Sequence, residues 1–116
     1  MKDVPASVAL ERAAALIAEK GWTQGVTARD VTGCPVHSSS DRAVSFCVVG
    51  AVCLKGQPRV GEVHPAFAFI ETVIGCSGVA GWNDEIERTK HDVVTALDAA
   101  YVVALQADGL EPEDVL

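Results

Sequence analysis

The chain has 116 residues, 49% of them hydrophobic, and a formal charge of −7. That is enough sequence for one hydrophobic core and too little for two. It excludes general disorder, and the lack of clustered Lys and Arg excludes direct binding to a nucleic-acid backbone. No uninterrupted apolar run reaches the roughly 20 residues that span a bilayer. The start, Met1-Lys2-Asp3-Val4-Pro5, does not lead from positive residues into an apolar stretch, so no signal peptide is expected. The expectation is one cytoplasmic domain over residues 1–116, with residues 110–116 frayed.

The charge is unevenly placed. From Asp84 onward nine carboxylates stand against Arg88 and Lys90, whereas residues 1–83 carry seven of each sign. The whole net charge therefore lies in the last 33 residues. Such an acidic end suits a basic protein surface better than an acidic one.

A first helix is predicted from the region of Pro5, flanked by Asp3 and Ser7, to about Lys20. Ala6, Leu10, Ala13 and Ile17 recur at helical spacing, Leu16 lies beside them, and Gly21 suits the terminator. A β-hairpin is predicted over about residues 26–36, because Asp30-Val31-Thr32-Gly33 has turn composition with Asp first and Gly last. A hairpin of this size must lean on the helices. His37-Ser38-Ser39-Ser40 reads as a loop, and Ser39 or Ser40 can cap a second helix from Asp41 to Lys55, ended by Gly56 and Pro58. Residues 43–54 are also rich in strand-formers, and periodicity alone does not separate a buried helix from a buried strand. Length and the serine cap favour the helix.

Residues 65–76 pose the same choice: Phe67, Ile70 and Ile74 share one face, and Phe69, Val73 and Cys76 another. Gly75, Gly78 and Gly81 punctuate a loop that delivers Trp82-Asn83-Asp84. Thr89 and Asp92 have the spacing of a capping box, so a last helix is expected from there to about Ala107, ended by Gly109. Val93, Leu97, Ala100 and Ala104 line it. Val102 and Val103 widen its apolar stripe, which implies deep burial or a homodimer contact. The resulting fold class is mainly α: about four helices in a single compact domain, with a small hairpin between the first two.

Taken in order, Gly21-Trp22-x-Gln24-Gly25, Ala28-Arg29-Asp30-x-x-Gly33, Phe46-Cys47-x-x-Gly50-Ala51, Trp82-Asn83-Asp84 and Leu97-Asp98-x-Ala100 resemble a family of small bacterial and phage-encoded proteins classed as a domain of unknown function. The resemblance covers roughly residues 8–105. It implies a compact single domain, favours helix for residues 41–55, and supplies no catalytic residues. Within it Phe46 stands where a tryptophan is common before the cysteine.

The candidate ligand- or partner-binding residues are Trp22, Gln24, Trp82, Asn83 and Asp84. The only two tryptophans of the chain are among them, and tryptophan is enriched at binding hot spots. The structural alternative is that Trp82 anchors a loop, Asn83 makes an Asx turn and Asp84 favours the positive end of the following helix. Cys34, Cys47, Cys53 and Cys76 lie mostly among apolar neighbours and read as buried thiols rather than a disulfide framework. No zinc-type spacing links them to His37, His64 or His91, and no phosphate-cradling glycine loop is present. No metal or cofactor is expected. The leading expectation is a non-enzymatic binding protein, an acidic inhibitor or adaptor acting on a basic protein surface. The competing one is a small enzyme or metal-binding domain using Cys47, a histidine and Asp84.

Overall fold

The computed structural model describes residues 4–57 and 63–107. In chain order the elements are α1 (Ala6–Glu19), β1 (Ala28–Arg29), β2 (Pro35–Val36), β3 (Ser45–Phe46), α2 (Val48–Gly56), α3 (Ala66–Ile74), α4 (Val79–Asn83) and α5 (Lys90–Ala107). The architecture is mainly α, as the apolar periodicities predict, with one more helix and one more strand than the local patterns indicate. The expected terminators Pro58 and Gly109 and the tail 110–116 fall outside the described residues.

The long helices form the body. Leu10, Ala13 and Ile17 of α1 and Val93, Leu97, Ala100 and Ala104 of α5 are fully buried, and α1 packs chiefly against α5 and α2. Each large apolar side chain so buried contributes about 1.5–3 kcal/mol. The predicted stripes are the observed core faces. Val102, however, is 38% exposed, so deep burial does not account for the wide late stripe of α5. Thr89 and Asp92 cap α5 reciprocally: Asp92 N–H donates to Thr89 Oγ1 and Thr89 N–H to Asp92 Oδ2, each at 3.1 Å. At the same end of α5, Lys90 Nζ donates to the carbonyl of Ala18 near the C-terminus of α1, where a cation is favoured.

Residues 41–47 depart from the predicted second helix. Ser40 does not cap a helix; its hydroxyl and carbonyl accept from Arg42 N–H and Ala43 N–H in a turn. Ser45–Phe46 instead forms β3, which adds to the predicted hairpin as a third antiparallel strand. The sheet order is β2-β1-β3, with Ala28 opposite both Val36 and Phe46. The turn before β2 is held by Asp30, whose Oδ1 accepts from Thr32 N–H, Thr32 O–H and Cys34 N–H, with Gly33 at φ 88°. The helix α2 begins only at Val48, and its cap is the Cys47 sulfur, which accepts from Gly50 N–H at 3.2 Å. Cys47 N–H in turn donates to the Thr27 carbonyl. The approach is so close that a Cβ on Gly50 would overlap the Thr27 carbonyl oxygen.

His64 closes the α2–α3 junction. It is buried, its Nε2 donates to the Val4 carbonyl at 2.7 Å, and its Nδ1 accepts from Ala66 N–H at the start of α3. The partners fix the tautomer, because a carbonyl only accepts and an amide N–H only donates.

Candidate functional site

The segment Trp82-Asn83-Asp84 is not a loop but the end of α4, a five-residue helix entered through Gly78 at φ 89°. This brings Asn83 into the interior, where it is fully buried. Its Oδ1 accepts from Trp22 Nε1–H at 2.8 Å and from Val48 N–H at 3.1 Å. Its Nδ2 donates to the Thr23 carbonyl at 3.1 Å and to Asp84 Oδ1 at 2.9 Å. The first two partners only donate and the last two only accept, so the amide has one possible orientation. Gln24 reinforces the joint by donating through Nε2 to the carbonyls of Asn83 and Glu85, and Gly25 N–H donates to Asp84 Oδ1. A buried amide with every group satisfied specifies a single arrangement; here it clamps the segment after α1, the start of α2 and the end of α4.

Trp82 points the other way, toward α3 and α5. Arg88 lies over its ring, 4.1 Å from the centroid, donates from Nε to the Trp82 carbonyl and pairs with Glu85 at 2.8 Å. Next to this stack an open groove of about 350 Å³ runs between α3 and α5. Val73, Ile74, Trp82, Ala96 and Ala99 make it apolar, while Arg88, His91, Asp92 and Thr95 supply polar groups, mostly toward the first turn of α5. The α3 wall is unusual in composition. Only Ala66 and Ile70 of its nine residues are buried, leaving Phe67, Phe69, Val73 and Ile74 partly exposed.

A second, smaller cleft of about 160 Å³ lies on the opposite side of α4, lined by Gly25, Val26, Thr27, Cys47, Val49, Ala80 and Asp84. It brings together two members of the expected nucleophile set, Cys47 and Asp84, but no histidine. His64 is held at the α2–α3 junction, His91 lies in the groove, and His37 sits in an exposed loop with its Nδ1 against Ser39. Burial pushes the Cys47 thiol up from its usual 9.0, and the Asp84 carboxylate adds to the effect against two opposing backbone hydrogen bonds. A buried thiol with a neighbouring anion is a poor nucleophile at neutral pH. Burial also raises Cys53. All four cysteines are free thiols, but Cys34 and Cys76 are exposed, so the buried-thiol expectation fails for those two: both sit beside Gly or Pro turns rather than in the core. Among the described residues no group of three or more His, Cys, Asp or Glu could hold a metal ion.

The five sequence candidates thus divide. Trp22, Gln24 and Asn83 are bonded to one another or across the joint, Asp84 faces the small cleft, and Trp82 alone lines the groove. The groove residues that the sequence reading missed include Val73, Arg88, His91, Thr95 and Ala99. A signal for three of them exists: His91, Thr95 and Ala99 repeat every fourth position on one side of α5.

Among the described residues, five helices and a three-stranded sheet, with a buried amide joint and an apolar groove, define a mainly helical fold. The chain belongs to a family of unknown function (DUF6197), whose model matches residues 1–102. No curated protein and no solved structure matches it.

Proposed function

We propose that the protein is a non-enzymatic binding protein that docks onto a basic partner, with the α3–α5 groove beside Trp82 as its working surface. The observation that carries this reading is the groove itself. Apolar side chains of α3, left half-exposed on a short helix, face Trp82 and the small residues Ala96 and Ala99. Space of this size accepts an apolar side chain from a partner. The partner's charge follows from complementarity, because the described loop before α5 carries Asp84, Glu85 and Glu87 against Arg88, and the chain as a whole carries −7. A basic surface would be steered toward it and fixed in register by it. Trp22, Gln24 and Asn83 belong to this function indirectly, as the frame that fixes Trp82.

A photo-crosslinking residue placed at Thr95, inside the groove, tests the proposal against the same residue at exposed Asp98. Expressed in the native host, the Thr95 probe is expected to yield an adduct with a protein of basic surface, weakened by salt and lost in a Val73→Asp background. Identical adduct patterns from the two positions would refute the docking role. Exposed Val102 supports a second reading, self-association along late α5; a single monomeric species at all concentrations in sedimentation would remove it.

A further inference from the structure

Asp92 has two oxygens with different surroundings. Oδ2 accepts from Thr89 N–H and completes the capping box of α5, whereas Oδ1 has no hydrogen-bond partner among the described residues. The same side chain lines the groove. The other charge there, Arg88, is already neutralised by Glu85 at 2.8 Å and spread over the Trp82 ring. Of the two charged residues that line the groove, Arg88 is paired with Glu85, which lies outside the lining, and Asp92 has no salt-bridge partner among the described residues. The opposite end is walled by Val73, Ile74, Ala96 and Ala99. An apolar slot with a spare carboxylate at one end selects for an apolar group that carries a cation beside it.

Resting on the docking reading above, we infer that Asp92 is the specificity-determining residue of the groove: its free oxygen reads a lysine-type ammonium next to the apolar side chain that a basic partner inserts. Anionic and uncharged equivalents of that group gain the apolar contact alone. A carboxylate head would meet Asp92, and would have to compete with Glu85 for Arg88. The capping role does not compete with this one, since capping uses Oδ2.

Three probes with one tail and different heads test the inference on the full, isotopically labelled chain at low ionic strength: hexylammonium, hexanol and hexanoate. Backbone amide shifts of Trp82, Thr95 and Ala99 report occupancy. The expected order of affinity is ammonium, then alcohol, then carboxylate, with the first step roughly threefold, as for a partly exposed ion pair. Asp92→Asn keeps an oxygen for Thr89 N–H but removes the charge, and should bring ammonium and alcohol to the same affinity. Thr89→Ala weakens the cap without touching the charge, and should preserve the order; loss of the order in that variant would make Asp92 a merely structural residue. If hexanol and hexylammonium bind the wild-type protein alike, the role of Asp92 is overturned while the groove stands as an apolar docking site. If none of the three probes shifts these amides, both the inference and the groove reading fall.

Discussion

Replacing Asn83 with alanine deletes an acceptor shared by Trp22 Nε1–H and Val48 N–H and a donor shared by the Thr23 carbonyl and Asp84. Val48 N–H is the most costly orphan. It is buried at the start of α2, and a buried donor left without a partner costs about 1–3 kcal/mol. The Trp22 and Thr23 groups are only partly buried, and water recovers some of their loss, so each adds about 0.5–1.5 kcal/mol. The expected total is roughly 2–6 kcal/mol, a large share of the ~5–15 kcal/mol that holds a domain folded. With a urea m-value of roughly 1.5 kcal/mol/M, the midpoint should fall by about 1.3–4 M at unchanged slope. Asn83→Asp sharpens the test. It keeps both acceptor functions but sets a carboxylate beside Asp84 Oδ1 and the Thr23 carbonyl, where the amide had donated. It should therefore be at least as unstable as the alanine variant at neutral pH and recover relative to it as acid protonates the new carboxyl. A midpoint within about 0.5 M of wild type for Asn83→Ala, less than one lost buried hydrogen bond would cause, would refute the reasoning that this amide holds three segments together.

Gly50→Ala should destabilise by more than about 3 kcal/mol or abolish folding, because the added Cβ meets the Thr27 backbone oxygen and no side-chain rotation relieves it; thermal melting checks this. Thiol labelling of the native protein at pH 8 should proceed quickly at Cys34 and Cys76, which are exposed, and slowly at Cys47 and Cys53, with mass spectrometry of the digested product assigning the order. The folded chain holds the Cys47 proton more tightly than the unfolded chain, whose thiol titrates near 9.0. The stability linked to it is therefore intact below pH 9.0 and lost as pH rises through the raised folded value. A Cys47→Ser variant should show a shallower alkaline fall in melting temperature than wild type, and an identical fall would assign the effect elsewhere.

The helices were legible where a long apolar period and a recognisable cap coincide. In α5 the Thr89–Asp92 pair and the four-residue recurrence of buried positions leave little room for another reading, and α1 is nearly as clear. The second helix was misplaced at its start because serine is a strong cap and cysteine is not among the usual ones. Ser40 spent its acceptors on a turn, while the Cys47 thiol took the cap. The strand that fills the gap, Ser45–Phe46, pairs with Arg29 and Ala28 of β1, sixteen and eighteen residues earlier, and short-range periodicity carries no trace of such pairing. The glycines around Trp82 pointed to a loop, yet α4 needs only one turn of helix, and Gly78 enters it at a positive φ. At the candidate site, the sequence groups Trp22, Gln24, Trp82, Asn83 and Asp84 as binding residues; four of them meet at the joint, and Trp82 points away from it. Their bonds connect positions about sixty residues apart, and polar residues at turns have a local explanation that competes with any distant one. The groove was hidden for a related reason: its walls are ordinary core-type residues of α3 and α5 whose exposure depends on where neighbouring helices stop.

The Asn83 joint also bears on the order in which the chain folds. Its bonds to Trp22 and Thr23 span 61 and 60 residues, and closing loops of that length comes at an entropic disadvantage that only prior structure offsets. The helices and the local turn at Asp30 can form first; the joint closes when α1, α2 and α4 have already met. Variants of Asn83 should then speed unfolding far more than they slow folding. The indole of Trp22, which donates into the joint, becomes a built-in optical reporter of that final step.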